Sequence, residues 1–130
     1  MDLYDEALIF ALKKWIADEI NEMYDNKICG LVIGLDDDGY IGYTTETHMK
    51  SSGADMSDIS AWKCPRSAAI DDDDAVYGAL EMWQKLKQIQ DADMRSGFFT
   101  CAREAAAQLR TDGIIRERFG SDIRILFKED

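Results

Sequence analysis

Two runs of consecutive aspartates are the side chains in this sequence best suited to binding chemistry. They comprise Asp36, Asp37 and Asp38 in the first run and Asp71, Asp72, Asp73 and Asp74 in the second. Carboxylates bind Mg²⁺ or Ca²⁺ when several oxygens converge, and they attract the lysines and arginines of other proteins. Neither run has the alternating spacing of a calcium loop or a glutamate at its twelfth position. Turns and helix caps need two or three aspartates. The seven therefore fit either a structural and solubility role or a surface for a basic protein, with metal binding as a third alternative.

Catalytic side chains are few. His48 is the only histidine, so any serine–histidine or cysteine–histidine pair would have to use it, and no nucleophile motif accompanies it. Cys29, Cys64 and Cys101 are odd in number and far apart, which predicts reduced thiols and no disulfide framework. A zinc site needs about four convergent ligands, and no glycine-rich phosphate loop is present. We therefore predict no catalytic residue, no metal site and no cofactor.

Trp62 lies in an irregular, polar stretch of the chain. Trp15 and Trp83 instead fall on apolar helical stripes and are predicted core residues. The ring of Trp62 either packs its stretch onto the core or stands exposed as an anchor for a partner, since tryptophan is enriched at binding hot spots. We include Trp62 with the two aspartate runs in the predicted partner-binding set.

The charge balance narrows the class of partner. Fifteen basic residues against 26 acidic ones give a net charge of −11, which repels nucleic acid and anionic membrane surfaces and attracts basic proteins. No apolar stretch approaches the ~18 residues of a membrane span, and the first residues are acidic where a secretion signal would be basic. We expect a cytoplasmic protein that binds neither nucleic acid nor membrane.

The predicted elements position these side chains. Residues 27–47 predict a β-hairpin, with aspartates 36–38 in its turn and Gly39 at a positive φ angle. Cys29 and Leu31 are expected on one face, and Gly30 and Gly34 on the other, where they allow a ring or a helix to approach closely.

Helical spacing predicts helices over residues 2–26, 75–90, 97–111 and 114–119. Residues 48–70 predict a long loop with a short strand at 58–63, and residues 122–128 predict a C-terminal strand beside the hairpin. The expected fold is a single α+β domain over residues 1–130. Its small, mostly antiparallel sheet is packed by the N-terminal helix and by two or three later helices.

Several sequence features occur together in a pattern. An apolar strand ends in acidic residues, ICGLVIGLDDDG, and a second strand leads into a threonine–glutamate step, IGYTTETHM. The tryptophan segment DISAWKCP, a late amphipathic helix CAREAAAQLR and a final strand IRILFKED follow. This pattern resembles a family of small bacterial domains associated with polymorphic toxin systems, although the chain has no second tryptophan soon after Trp62. The resemblance implies an immunity protein that neutralises a cognate toxin and has no catalytic residues.

Three hypotheses follow from these features. The first is a cytoplasmic immunity protein that binds a basic toxin domain through its acidic surface. The second is a general adaptor domain without a toxin connection, and the third is a metal-dependent enzyme with a carboxylate site. The sequence leaves open whether the protein is a monomer or a dimer.

Overall fold

The computed structural model describes residues 1–129, and over that range it has four strands and five α-helices. In chain order the elements are α1 (Leu3–Asn21), β1 (Ile28–Leu35), β2 (Gly39–Thr45), α2 (Glu46–Ser52), β3 (Cys64–Ala69), α3 (Asp74–Leu86), α4 (Asp91–Thr111), α5 (Ile114–Phe119) and β4 (Arg124–Lys128). Short 3₁₀ turns precede β3 and α3. The predicted α+β class is confirmed.

The sheet has the strand order β3-β2-β1-β4. The predicted hairpin is confirmed as the antiparallel pair β1–β2, although its second strand ends at Thr45 and residues 46–47 begin α2. The strand β3 adds to β2 in antiparallel fashion. The predicted C-terminal strand is also present, and it lies beside β1 as the one parallel pair. Both edges of the sheet are therefore formed by strands that are distant from the hairpin in sequence.

A β-bulge changes the facing of β1. Ile28 pairs with Thr45 while Gly30 pairs with Thr44, so Cys29 is an extra residue without a partner on β2. Ile28 and Leu31 consequently share the main core. The prediction that Cys29 faces the same way as Leu31 is wrong, because Cys29 packs on the opposite side of the sheet.

The main core lies between one face of the sheet and the helices α1, α3, α4 and α5. Trp15 and Trp83 are each 2% exposed, as predicted. Gly97 was predicted to begin a helix, but α4 begins at Asp91, so Gly97 lies inside it. A Cβ at Gly97 would lie 2.9 Å from the Trp83 ring, so the glycine allows α3 and α4 to pack closely.

The second face of the sheet is covered by α2 and the segment that follows it. Residues 48–70 were predicted as a long loop, which is wrong for α2. Thr45 caps this helix by accepting a hydrogen bond from the His48 amide at 3.2 Å. The predicted strand at 58–63 is also wrong, since the strand is β3 at Cys64–Ala69. Its sequence, CPRSAA, lacks apolar alternation, and it forms a strand by pairing with β2.

Three further features differ from expectation. The helix predicted over residues 75–90 ends at Leu86. The N-terminal helix ends at Asn21 instead of residue 26, and Arg118 donates hydrogen bonds to the carbonyls of Ile20 and Met23 at that end. Gly39 does not adopt a positive φ angle. A Cβ there would clash with the Ile70 side chain and lie 3.3 Å from the Phe98 ring, so packing is the reason for this glycine.

Asp5 joins α1 to α3. Its carboxylate accepts hydrogen bonds from Lys87 Nζ at 2.7 Å and from Trp83 Nε1 at 2.8 Å. Burial alone would raise the pKa of Asp5, but these hydrogen bonds together outweigh it and lower the pKa to about 2. This stabilisation is present above the ordinary pKa of 3.8 and is lost as the pH falls toward 2.

We expect Asp5→Asn to lower the free energy of unfolding by about 2 kcal/mol at pH 7, because one unit of pKa shift corresponds to about 1.4 kcal/mol. The difference from wild type should shrink below about pH 4, as urea unfolding at several pH values can measure. Asp112→Asn is the control, because Asp112 is half exposed in its pair with Lys13 and such pairs contribute about 0–1 kcal/mol. Equal losses for the two variants at pH 7 would contradict this role of Asp5.

Candidate protein-binding surface

The two aspartate runs lie next to each other at one end of the sheet. Tyr40 pairs with Ala69 in the antiparallel β2–β3 ladder. The residues two positions beyond this pair are Asp38 before β2 and Asp71 after β3, so the ladder brings them together. Burial raises the pKa of Asp71, and the neighbouring charges of Asp38 and Asp72 raise it further. Runs more than 30 residues apart in sequence therefore form one electrostatic surface.

The first run is partly neutralised by its own fold. Arg66 on β3 forms ion pairs with Asp36 and with Asp38, the latter at 3.5 Å. The guanidinium also lies 4.2 Å from the centre of the Tyr40 ring. Asp37 is exposed and forms no ion pair within residues 1–129. Asp37 is therefore the member of this run whose charge is most available to a partner.

In the second run one aspartate caps a helix and the other three are exposed. Asp73 caps α3, because its carboxylate accepts hydrogen bonds from the amides of Ala75 at 3.0 Å and Val76 at 3.2 Å. Asp71, Asp72 and Asp74 are exposed, and none has an ion-pair partner in the described part of the chain. The prediction that aspartates before Ala75 cap a helix is confirmed for Asp73.

The end of α1 extends this surface. Burial raises the pKa of Glu19, and the charges of Glu22, Asp73, Asp18 and Asp72 raise it further. Sequence reasoning missed these α1 carboxylates, since only the fold brings them to the second aspartate run. We call the whole set the acidic surface. It consists of Asp18, Glu19, Glu22, Asp36, Asp37, Asp38, Asp71, Asp72, Asp73 and Asp74.

Trp62 is not part of this surface. Its side chain is 3% exposed and packs with Val32 and Met49 on the second face of the sheet. The indole N–H donates to the carbonyl of Met56 at 2.9 Å. The packing alternative therefore holds, and we withdraw Trp62 from the partner-binding set because its ring is covered by its own chain.

A groove between α1 and α3 adjoins the acidic surface. Its lining includes Trp15, Phe10, Val76, Asp18 and Asp73. Phe10 is 71% exposed, which is unusual for a large apolar side chain. Sequence reasoning did not identify this groove, although a signal was present. Phe10 lies outside the apolar stripe of α1, so packing in the core does not explain why this position is a phenylalanine.

The remaining candidate side chains have structural positions. His48 Nε2 lies 2.8 Å from the carbonyl oxygen of Ala61 and ties α2 to the segment before Trp62. The three cysteines are unpaired, and burial raises the pKa of the Cys101 thiol to about 11. Across residues 1–129, histidine, cysteine, aspartate and glutamate side chains nowhere form a group of three or more that could hold a metal ion.

No known protein family, curated protein or solved structure matches this chain. None of the helices within residues 1–129 has both the length and the apolar composition that crossing a bilayer requires. Function therefore has to be inferred from the chain's own surface and groove.

The second aspartate run allows structural and binding roles to be separated. We expect Asp73→Ala to lower the free energy of unfolding by about 1 kcal/mol, since it removes a helix cap. Asp74→Ala is the matched control, because Asp74 favours the first turn of α3 only through the helix dipole, worth about 0.3–1 kcal/mol at low salt. Urea unfolding in 0.5 M NaCl, which screens the dipole, should leave a loss only for Asp73→Ala. Equal losses there would show that Asp73 is not the cap.

Proposed function

We propose that this chain binds a basic region of another protein through the acidic surface. The observation that carries the proposal is the group Asp37, Asp71, Asp72 and Asp74, which are exposed. Within residues 1–129 these four carboxylates form no ion pair. Gathering like charges costs free energy, and a positively charged partner relieves that cost. Burial is the first cause of the raised pKa of Asp71, and the charges of Asp38 and Asp72 add to it.

We further propose that the partner is a bacterial toxin domain and that this chain is its cytoplasmic immunity protein. The net charge of −11 supports a basic partner, since it accelerates encounter with one and disfavours binding to nucleic acid. No known family matches the chain, so the toxin connection rests only on the resemblance of the short motifs ICGLVIGLDDDG, IGYTTETHM, DISAWKCP and IRILFKED to domains of polymorphic toxin systems. An inhibitor of this kind acts by covering its target and needs no catalytic group.

A growth rescue tests the proposed function. The C-terminal domain of the protein encoded immediately upstream is expressed under an inducible promoter, with and without this chain. We expect the domain alone to stop growth and the full chain to restore it.

Two outcomes would oppose the immunity proposal. If the upstream domain does not stop growth, it is not a toxin. If it stops growth and this chain does not restore growth, this chain is not its inhibitor. In either case the chain would stand as an adaptor domain for another basic protein, and the toxin connection would be dropped.

A further inference from the structure

The groove between α1 and α3 has about the volume of a single side chain. It measures about 130 Å³, and a cavity of about 150 Å³ holds a molecule the size of benzene. Phe10, Trp15 and Val76 give the groove apolar walls, whereas Asp18 and Asp73 give it carboxylates. Lysine and arginine match this lining, because each joins an apolar stem to a cationic end.

Each of the two carboxylates keeps one oxygen without a partner. Asp73 accepts both capping hydrogen bonds, from the amides of Ala75 and Val76, through Oδ1 alone. The Oδ2 atom of Asp18 lies 3.5 Å from Lys14 Nζ. Within residues 1–129, Asp73 Oδ2 and Asp18 Oδ1 take part in no hydrogen bond or ion pair. Two such oxygens beside one small groove attract a cation from another molecule.

Lys14 also lines the groove but does not neutralise it. The Lys14 side chain is 70% exposed and that of Asp18 is 56% exposed, so solvent screens their attraction. The two residues are four positions apart on α1, and their ion pair does not include Asp73 on α3. A partner cation therefore competes with Lys14 at Asp18, and no cation of the described residues competes with it at Asp73.

Trp15 shows independently that a wall of the groove lacks a polar partner. The residue lines the groove and is 2% exposed, and its indole N–H has no hydrogen-bond acceptor within residues 1–129. Among the buried side-chain nitrogens and oxygens of that range, it is the only one without a partner. Buried polar groups are almost always hydrogen-bonded, as the indoles of Trp62 and Trp83 are. An acceptor from another molecule would complete this wall.

We propose that the groove between α1 and α3 receives one lysine or arginine residue of the basic partner, whose cation meets Asp18 and Asp73. The apolar stem of this residue packs against Phe10 and Val76, and its main-chain carbonyl is the acceptor for the Trp15 N–H. The inference rests on the proposed function and deepens it. It names the residue type that anchors the partner beside the acidic surface, as a central side chain in a pocket does at many interfaces.

A second copy of this chain is a poorer source of that lysine or arginine. Each copy has a net charge of −11 and carries the acidic surface next to the groove, so self-association would bring like charges together. A basic partner has the opposite effect, because its other cations face Asp71, Asp72 and Asp74.

Short peptides test the groove with the intact protein and without the toxin domain. The probes are glycine peptides that carry one central lysine, arginine or norleucine, and norleucine supplies the stem without the charge. Binding is followed through the ¹⁵N–¹H signal of the Trp15 indole, assigned with Trp15→Phe. We expect the lysine or the arginine peptide to shift this signal to saturation and to bind about tenfold more tightly than the norleucine peptide.

The other two indoles are internal controls for this titration. The signals of Trp62 and Trp83 should move less than that of Trp15, since both donors are already bonded within the chain. Equal binding of the norleucine peptide would show that the groove does not select a cation. A cationic peptide that leaves the Trp15 signal in place would show that it binds elsewhere. Either result overturns the inference.

Variants of the lining locate the bound cation. Asp18→Asn should weaken binding of the lysine peptide about tenfold, whereas Glu6→Gln, which removes one charge from an exposed position of the same helix, should leave it unchanged. Lys14→Gln should strengthen binding, because it removes the competing cation. Its control is Lys85→Gln, which removes one positive charge from an exposed position of α3 outside the groove. Equal effects within either pair would mean that net charge alone governs binding, which contradicts the groove.

The toxin domain separates failure of the groove from failure of the proposed function. If Asp18→Asn binds that domain like wild type while Asp71→Asn with Asp72→Asn binds more weakly, the groove is wrong and the acidic surface still stands. If this chain does not bind the toxin domain but the lysine peptide still saturates the Trp15 signal, the groove stands and the immunity role is dropped. We expect both sets of variants to weaken the complex.

Discussion

Replacing Phe98 by alanine is expected to lower the free energy of unfolding by about 4 kcal/mol. Phe98 has no exposed surface, and it packs edge-to-face against Phe99 with ring centres 5.3 Å apart. It also fills the space beside Gly39, where β2 begins. Truncation removes apolar contacts and leaves a cavity between α4 and the sheet. For a domain of this size we expect the melting temperature to fall by roughly 10–15 °C.

Phe10→Ala is the matched control for this prediction. It deletes the same atoms from a side chain that is 71% exposed, so its free energy of unfolding should stay within about 0.5 kcal/mol of wild type. Chemical denaturation of both variants measures the contrast. Similar losses for the two variants would mean that α4 does not pack on the sheet as described. A neutral Phe10→Ala would also show that this ring does not serve folding.

Gly42→Ala has the second largest expected effect. A Cβ at this position would lie 2.6 Å from the carbonyl oxygen of Cys64 and closer still to that of Pro65. These are backbone atoms of β3, so they cannot rotate away as a side chain would. We expect a loss of about 3 kcal/mol in the free energy of unfolding, as overpacking of a fixed backbone produces. Displacement of β3 should accompany it, because this is where the β2–β3 register is irregular.

Gly78→Ala provides the comparison for Gly42→Ala. Gly78 lies within α3, and a Cβ there would meet nothing within 4 Å. Alanine in a helix interior is more favourable than glycine by about 0.5–1 kcal/mol, so this variant should be more stable than wild type. Opposite signs for the two glycine variants are expected in urea unfolding. Stabilisation by Gly42→Ala would refute the close approach of β3.

The sequence predicts most of this fold because its elements are amphipathic or β-branched. The hairpin, α3, α5 and the C-terminal strand follow from apolar spacing, which burial against one core enforces. The strand β3 could not be predicted, since CPRSAA becomes a strand only by pairing with β2. The bulge at Cys29 could not be predicted either, because the alternation of side chains along a strand does not show where an extra residue is inserted.

The candidate surface was predicted only in part. Both aspartate runs were visible, but their proximity depends on the register that places Asp38 beside Asp71. The neutralising role of Arg66 and the contribution of Glu19 come from elements distant in sequence. For Trp62 the sequence left packing onto the core and exposure to a partner as alternatives, and the buried ring decides for packing.

The central claim is that exposed carboxylates of the acidic surface bind a basic protein. The most direct test is the affinity of the purified toxin domain from the growth rescue, measured by calorimetry at about 50 and 300 mM NaCl. The test variant is Asp71→Asn with Asp72→Asn and Asp74→Asn. The control is Glu46→Gln with Glu104→Gln and Glu117→Gln. It also removes three negative charges, but from α2, α4 and α5.

We predict that wild-type affinity falls with salt and that the test variant binds at least tenfold more weakly, about 1.4 kcal/mol, with a smaller dependence on salt. The control variant should bind within about threefold of wild type. If the two variants bind equally well, net charge alone governs the association or the interface lies elsewhere. That result would contradict a binding role for the acidic surface.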